Sequence, residues 1–352
     1  MGKWLTKLNE LDGYVNADQD IFASDNVVAM PSPSLGYVFG KGNGLPRGLI
    51  VTLFGPPGGG KSVTVNHIIG QLHHDDPEAI VVKFNTELRE AAQLPATDYP
   101  LFGIDKDRYV AYNTNAPELI FDRIETEIAA MCEAGAPIKL IVVDSLNNIQ
   151  GRRSQNATTI LTQQIGDEAA TLKDGFKRIQ SVLRKYCIAM ICTNQIRAEL
   201  DAVEQMRGNK IKMASAFSTQ HYIEYFLYVE KNRTKDAKAD LLGQELVDSS
   251  KVDMAGKEEK TGFKVRFQMK KSTVGIDGRS GEFTWDFKKG IINTHEEIFE
   301  LGTGLGVITK PNNVMYEFGG NQWRGKEAMI TAIRDNTELY NNIWEAIKKL
   351  DK

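Results

Sequence analysis

The residues Gly55-Pro56-Pro57-Gly58-Gly59-Gly60-Lys61-Ser62 have the types and spacing of a phosphate-binding loop. They follow the apolar run Leu49–Phe54, which reads as a strand, and a helix is expected from about Lys61. Glycines let backbone N–H groups turn inward around phosphate oxygens. Lys61 supplies a point charge to the outer phosphates, and the Ser62 hydroxyl can hold Mg²⁺. The helix start adds its positive dipole end. Gly55 through Val63 is therefore the expected nucleotide-contacting segment, with Ser62 as one metal-binding residue.

Three further groups carry chemistry. Leu140-Ile141-Val142-Val143-Asp144 is a buried-strand pattern ending in a carboxylate. Ligands of open α/β sheets sit at that edge, so Asp144 can orient Mg²⁺, usually through water. Val81-Val82-Lys83-Phe84-Asn85-Thr86-Glu87 is a second such pattern. Twenty-six residues separate Lys61 from Glu87, room for one helix and a return strand. Glu87 can then polarise a water for in-line attack on a phosphoryl group. Glu90, one turn later, is the competing carboxylate, and a solvent-exposed glutamate is the plainer alternative. Ile191-Cys192-Thr193-Asn194-Gln195 ends in an amide that can sense a γ-phosphate or simply cap the sheet edge. Two basic loops complete the set. Residues 151–156 contain Arg152 and Arg153; residues 197–219 contain Arg197, Arg207, Lys210 and Lys212 with Met206 and Phe217. Cations beside apolar faces suit a single nucleic-acid strand, and ordinary solvated loops are the alternative.

The elements that must position these groups are legible as an alternation. Apolar strands at 49–54, 79–84, 138–143, 187–193 and 223–229 are separated by amphipathic segments such as Leu172, Phe176, Ile179 and Leu183. This predicts an α/β fold with a mostly parallel, doubly wound sheet. Residues 263–269 alternate as a half-exposed antiparallel strand. Residues 231–260 carry seven basic and seven acidic residues with few apolar ones and read as a solvated excursion. Trp4, Leu8 and Leu11 predict a short amphipathic helix, Met30–Ser34 a linker or rigid turn, and 314–323 a hairpin. The last helix puts Leu339, Ile343, Ile347 and Leu350 on one face.

Bulk properties narrow the function classes. The chain has 352 residues, 41% hydrophobic, with formal net charge −3. Any nucleic-acid contact must come from local basic loops rather than a global field. Cys132, Cys187 and Cys192 have neither metal spacing nor a disulfide framework and are expected as reduced, buried thiols. With no apolar signal core and no run of membrane-span length, a cytoplasmic protein is expected.

Taken together, these motifs resemble the RecA family of homologous-recombination ATPases, especially its phage members. The resemblance runs over nearly the whole length. It includes Gly44–Gly48, the Pro-rich 30–33, Asn85-Thr86-Glu87, Val142–Ser145, Ile165-Gly166-Asp167, Asn194–Arg197 and the tail from Gly325-Lys326-Glu327-Ala328 to Asp335-Asn336. It implies a RecA-like ATPase core at 31–295, a protomer-docking segment at 1–30 and a small α+β carboxyl-terminal subdomain at 296–352. It implies that ATP and Mg²⁺ bind, with Glu87 as the catalytic glutamate and Gln195 as the ATP sensor. Lys270 and Lys271 would touch phosphates across a protomer interface, and Tyr99 would stack on adenine. The loops at 150–167 and 197–219 would bind DNA. Asn85 stands where the family often has Asp. The implied partners are single-stranded DNA, homologous duplex DNA, further copies of the chain, a single-strand-binding protein and a loading mediator. The implied function is ATP-dependent strand exchange by helical filaments. The rival readings are a ring helicase on the same fold and a weakly hydrolysing recombinase-like regulator.

Overall fold

The computed structural model describes residues 20–40, 43–151, 167–198, 211–213, 219–232, 247–252, 258–274 and 277–350. The predicted helix around Trp4–Leu11 lies outside them. The described chain opens with β1 (Val27–Ala29), α1 (Pro33–Phe39) and β2 (Gly44–Pro46), which pairs antiparallel with β1. Pro31–Ser32 is a bend, as the rigid-turn reading has it, and a helix the sequence did not predict begins at Pro33. Ser32 caps it by accepting the Leu35 N–H at 3.2 Å. Pro33 fills the first helical position, where its missing N–H leaves no intrahelical bond unmade.

The core follows in alternation. β3 (Ile50–Gly55) leads through the Gly-rich loop to α2 (Lys61–Asp75). Next come β4 (Ile80–Asn85), the short α3 (Glu90–Gln93) and α4 (Tyr99–Phe102), and β5 (Tyr109–Asn113). A helical stretch with π-type bonding over Glu118–Asp122 and Ile124–Ile128 runs into α5 (Ala129–Glu133), then β6 (Ile138–Asp144). After α6 (Asp167–Lys185) come β7 (Ala189–Ala198), β8 (Ile211–Met213) and β9 (Tyr225–Lys231). Within the expected excursion, β10 (Val247–Val252) and β11 (Glu258–Lys260) pair with each other. β12 (Gly262–Ser272), β13 (Ser280–Asp286) and β14 (Gly290–Ile292) close the sheet.

The sheet runs β14-β13-β12-β9-β3-β7-β6-β4-β5, with β8 paired off this path to β7. From β9 to β5 every neighbour is parallel, and from β14 to β9 every neighbour is antiparallel. The parallel strands are apolar on both faces because helices cover both. On one side Val51, Leu53, Val142 and Ile191 pack with Val65, Ile68 and Ile69 of α2. On the other, Ile50, Phe54, Ile141 and Met190 pack with Phe176, Ile179 and Leu183 of α6. On β12 the alternation holds from Val265 onward: Val265, Phe267 and Met269 are buried, while Arg266 and Lys270 are exposed; Lys264, expected to face solvent, is buried.

A third cluster is built by α7 (Thr294–Gly304), the hairpin β15 (Met315–Phe318) and β16 (Asn321–Arg324), α8 (Lys326–Asp335) and α9 (Thr337–Lys349). The expected face of the last helix is right for Ile343 and Ile347, but Leu350 falls just beyond α9 and is 59% exposed. Of the cysteines only Cys192 is fully buried; Cys132 and Cys187 are free and half-buried.

Candidate functional site

Strand register brings the chemistry-bearing residues to one edge. Gly55 stands beside Gln195 across the β3–β7 pair, and Asn85 beside Asp144 across β4–β6. Asp144 Oδ1 accepts from the Thr193 hydroxyl at 2.5 Å, which ties β6 to β7 at the same level. All of these positions lie at or near the carboxyl ends of parallel strands, where open α/β sheets bind ligands.

The loop between β3 and α2 needs glycine for two different reasons. A Cβ on Gly55 would lie 1.9 Å from the Val229 carbonyl oxygen, so β9 can pass only if residue 55 has no side chain. Gly60 has φ of 102° in the left-handed region and caps α2. Lys61 folds back over the loop, its Nζ donating to the Gly55 and Pro56 carbonyls, each at 2.9 Å. Burial lowers the Lys61 pKa, while the charges of Asp144 and Glu87 pull it the other way. The Ser62 hydroxyl is 3.5 Å from Asp144 Oδ2.

Two neighbouring glutamates have different surroundings. Glu90 is buried, paired with Lys83 at 2.9 Å, and accepts from Asn85 Nδ2 at 2.7 Å and from the Tyr109 hydroxyl. Burial pushes its pKa up, but Lys83 and the hydrogen bonds from Tyr109, Asn85 and Lys83 outweigh it, and the net shift is downward. Glu87 keeps 15% of its side chain exposed. Its Oε2 accepts from Gln93 Nε2 at 2.7 Å and from the Arg89 guanidinium, while its N–H donates to Asn85 Oδ1 at 3.0 Å. Glu90 is thus committed to internal partners and Glu87 is the accessible carboxylate. Thr86 braces the segment: its hydroxyl donates to the Ser145 carbonyl at 2.6 Å, and its Oγ1 accepts the Ser145 N–H at 2.7 Å. The Asp144–Ser145 peptide bond is cis.

The remaining expected residues fall as follows. Gln195 is half-buried beside the first loop glycine. Tyr99 sets its ring edge-on to Tyr109 at 5.7 Å and packs partly against the core. Lys270 and Lys271 lie at a bulge in the β12–β9 pairing, their Nζ atoms 5.7 Å over Tyr228 and 5.5 Å over Phe226. Lys271 is level with Phe226, and Phe226 with Thr52, three residues down the strand from Gly55. That is about 10 Å below the loop of the same chain. Arg197 and Lys212 oppose each other in the β7–β8 pair. Arg152, Arg153, Met206, Arg207, Lys210 and Phe217 lie outside the described residues.

The donor set suits one hard cation. Ser62 and Asp144 offer a hydroxyl and a carboxylate side by side. Among the described residues no cluster of three or more His, Cys, Asp or Glu could hold a metal alone. The Ser62–Asp144 pair would suit Mg²⁺, which takes one or two protein oxygens and completes its shell with phosphate and water. Sequence reasoning missed Lys83, Tyr109 and Gln93. Lys83 carried a signal, a lone cation inside a strand that otherwise reads as buried; the other two did not.

A family model described as RecA N-terminal domain matches residues 17–291. Protein RecA of Oleidesulfovibrio alaskensis is 22% identical over 335 residues, covering 92% of this chain and 83% of the relative. Protein RecA of Mesomycoplasma hyopneumoniae is 23% identical over 338 residues, 94% of this chain and 86% of the relative. Protein RecA of Campylobacter fetus is 23% identical over 340 residues, with the same coverage of 94% and 86%. With the family model spanning most of its length and the loop, Asp144 and Gln195 aligned along one sheet edge, the chain belongs to the RecA family.

Proposed function

We propose that the chain is an ATP-dependent DNA strand-exchange recombinase, a phage recombinase similar to UvsX. It polymerises on single-stranded DNA as a right-handed helical filament in the host cytoplasm. The observation that carries this reading is the row Lys61–Ser62–Asp144–Glu87–Gln195 at the carboxyl edge of a RecA-family sheet.

The residues divide the work. The loop from Gly55 to Val63 cradles the phosphates, and Lys61 exchanges its two carbonyl acceptors for phosphate oxygens. Ser62 and Asp144 would hold Mg²⁺, which would neutralise phosphate charge when bound. Glu87 accepts a proton from the attacking water. Gln195, next to the loop, reads the γ-phosphate and passes its presence into β7, whose carboxyl end leads into the basic 197–219 segment. ATP then acts as a ligand with different affinities for two states, one that binds DNA and one that releases it. The position of Lys270 and Lys271, well down the sheet from the loop of their own chain, supports a role toward the nucleotide of an adjoining protomer. The domain limits 1–30, 31–295 and 296–352 belong to the same proposal, as do DNA contacts by Arg152, Arg153, Arg197, Met206, Arg207, Lys210, Lys212 and Phe217. A single-strand-binding protein and a loading mediator are the expected partners.

The test is Lys61→Ala. ATP-stimulated binding to single-stranded DNA and DNA-dependent ATP hydrolysis should both be lost. Hydrolysis at the wild-type rate in this variant contradicts the site assignment.

A further inference from the structure

Lys83 occupies the interior of the parallel sheet with 1% of its surface exposed. A buried ammonium persists only with fixed anionic partners. Its Nζ lies 2.9 Å from Glu90 Oε2 and 3.7 Å from Asp144 Oδ2. Glu90 accepts from Asn85, and Asn85 leads on to Glu87 by two routes. Asn85 Oδ1 accepts the Glu87 N–H at 3.0 Å, and Asn85 Nδ2 donates to Gln93 Oε1 at 2.5 Å. Gln93 Nε2 then donates to Glu87 Oε2 at 2.7 Å. Asn85 uses one acceptor oxygen and both amide hydrogens in these contacts, a pattern no other side chain of its shape supplies. An aspartate in its place would set a second carboxylate 2.7 Å from Glu90.

We propose that Lys83, Glu90, Asn85 and Gln93 form a positioning relay that fixes the carboxylate of Glu87 relative to Asp144. The relay rests on the reading of Glu87 as the group that activates water. It adds to that reading the reason Glu87 keeps one geometry while it is partly open to solvent. Arg89, 63% exposed, holds the same Glu87 oxygen from the solvent side. The relay therefore fixes Glu87 from the interior, with its anchor on the carboxylate assigned to the metal. None of the four relay residues touches the reacting atoms; they act through Glu87.

The donor–acceptor logic gives a reciprocal test. Single-stranded-DNA-dependent ATP hydrolysis is measured for Glu87→Gln, Asn85→Asp and the double variant Asn85→Asp/Glu90→Gln, with KM for ATP and thermal unfolding alongside. Glu87→Gln should lower kcat by about 100-fold or more. Asn85→Asp should lower kcat by about 10- to 100-fold, since small misplacements of a catalytic group have that effect, with KM little changed. The double variant restores a donor–acceptor pair between positions 85 and 90 at the same net charge but not the donor to Gln93 Oε1, so it should recover only part of the lost kcat. A stability defect alone would change the unfolding midpoint without this pattern in kcat. Where Asn85→Asp does not yield folded protein, Gln93→Leu, at the partly exposed end of the relay, should lower kcat in the same way. Wild-type kcat in Asn85→Asp, in Gln93→Leu or in the double variant overturns the relay. Wild-type kcat in Glu87→Gln overturns instead the assignment of Glu87 itself.

Discussion

Gly55 shows how much a single position constrains this site. Its missing Cβ is the space through which the Val229 carbonyl passes, and its own carbonyl receives Lys61. Gly55→Ala should therefore act twice. Overpacking between β3 and β9 should lower stability by about 1–3 kcal/mol in urea unfolding, and the displaced loop should weaken ATP affinity in a fluorescent-nucleotide titration. Unchanged values for both would contradict the geometry. The loop was legible in the sequence because its constraint is local, eight consecutive residues between a strand and a helix. The choice between Glu87 and Glu90 was not. What separates them is Lys83 on the preceding strand and Tyr109 nineteen residues beyond Glu90, contacts that sequence spacing does not encode. The same holds for Asn85, which the sequence presents as a departure from a family pattern and the structure presents as the donor that a buried carboxylate at 90 requires.

At the scale of elements, periodicity predicted the five central strands and the buried face of α6, because those runs are long and covered on both sides. It failed where elements are short or edge-bound. β5 is the last strand of the sheet and leaves Val110 and Tyr112 exposed, so it has no clean pattern. The Pro-rich 30–34 stretch reads as a linker or turn because proline punctuates chains; the bend is there, and Pro33 opens α1. That helix docks on α7 through an unusual contact: buried Glu297 accepts the Ser34 N–H at 2.9 Å. Burial pushes the Glu297 carboxyl up to about 8, despite hydrogen bonds from Ser34 and Ser32. A carboxyl that titrates higher in the folded chain binds its proton more tightly there. Its contribution is present below the ordinary value near 4.5 and is lost as pH rises through about 8. Glu297→Gln keeps a neutral acceptor at every pH. Its stability relative to the wild type should therefore rise between pH 5 and pH 8 by up to about 1.4 kcal/mol per pH unit. Thermal midpoints of the two proteins at pH 5, 6.5 and 8 test this, and parallel profiles would contradict it.

At the scale of the whole molecule, the carboxyl edge of one parallel sheet gathers the groups proposed to handle phosphate. Lys270 and Lys271 stand well down the sheet from that edge. A nucleotide on this chain would meet Lys61, Ser62, Asp144, Glu87 and Gln195 from one side only. If Lys270 and Lys271 serve a nucleotide, it is one held by a second copy, and copies then add head to tail. A heterologous contact of this kind generates an open helix when its rotation does not close and a ring when it does. Electron microscopy of the protein with single-stranded DNA and a slowly hydrolysed ATP analogue distinguishes the two directly. The expected result is an open helical filament that stretches along the DNA and is absent without the nucleotide. Closed six-membered rings would contradict it and turn the reading to a motor on the same fold.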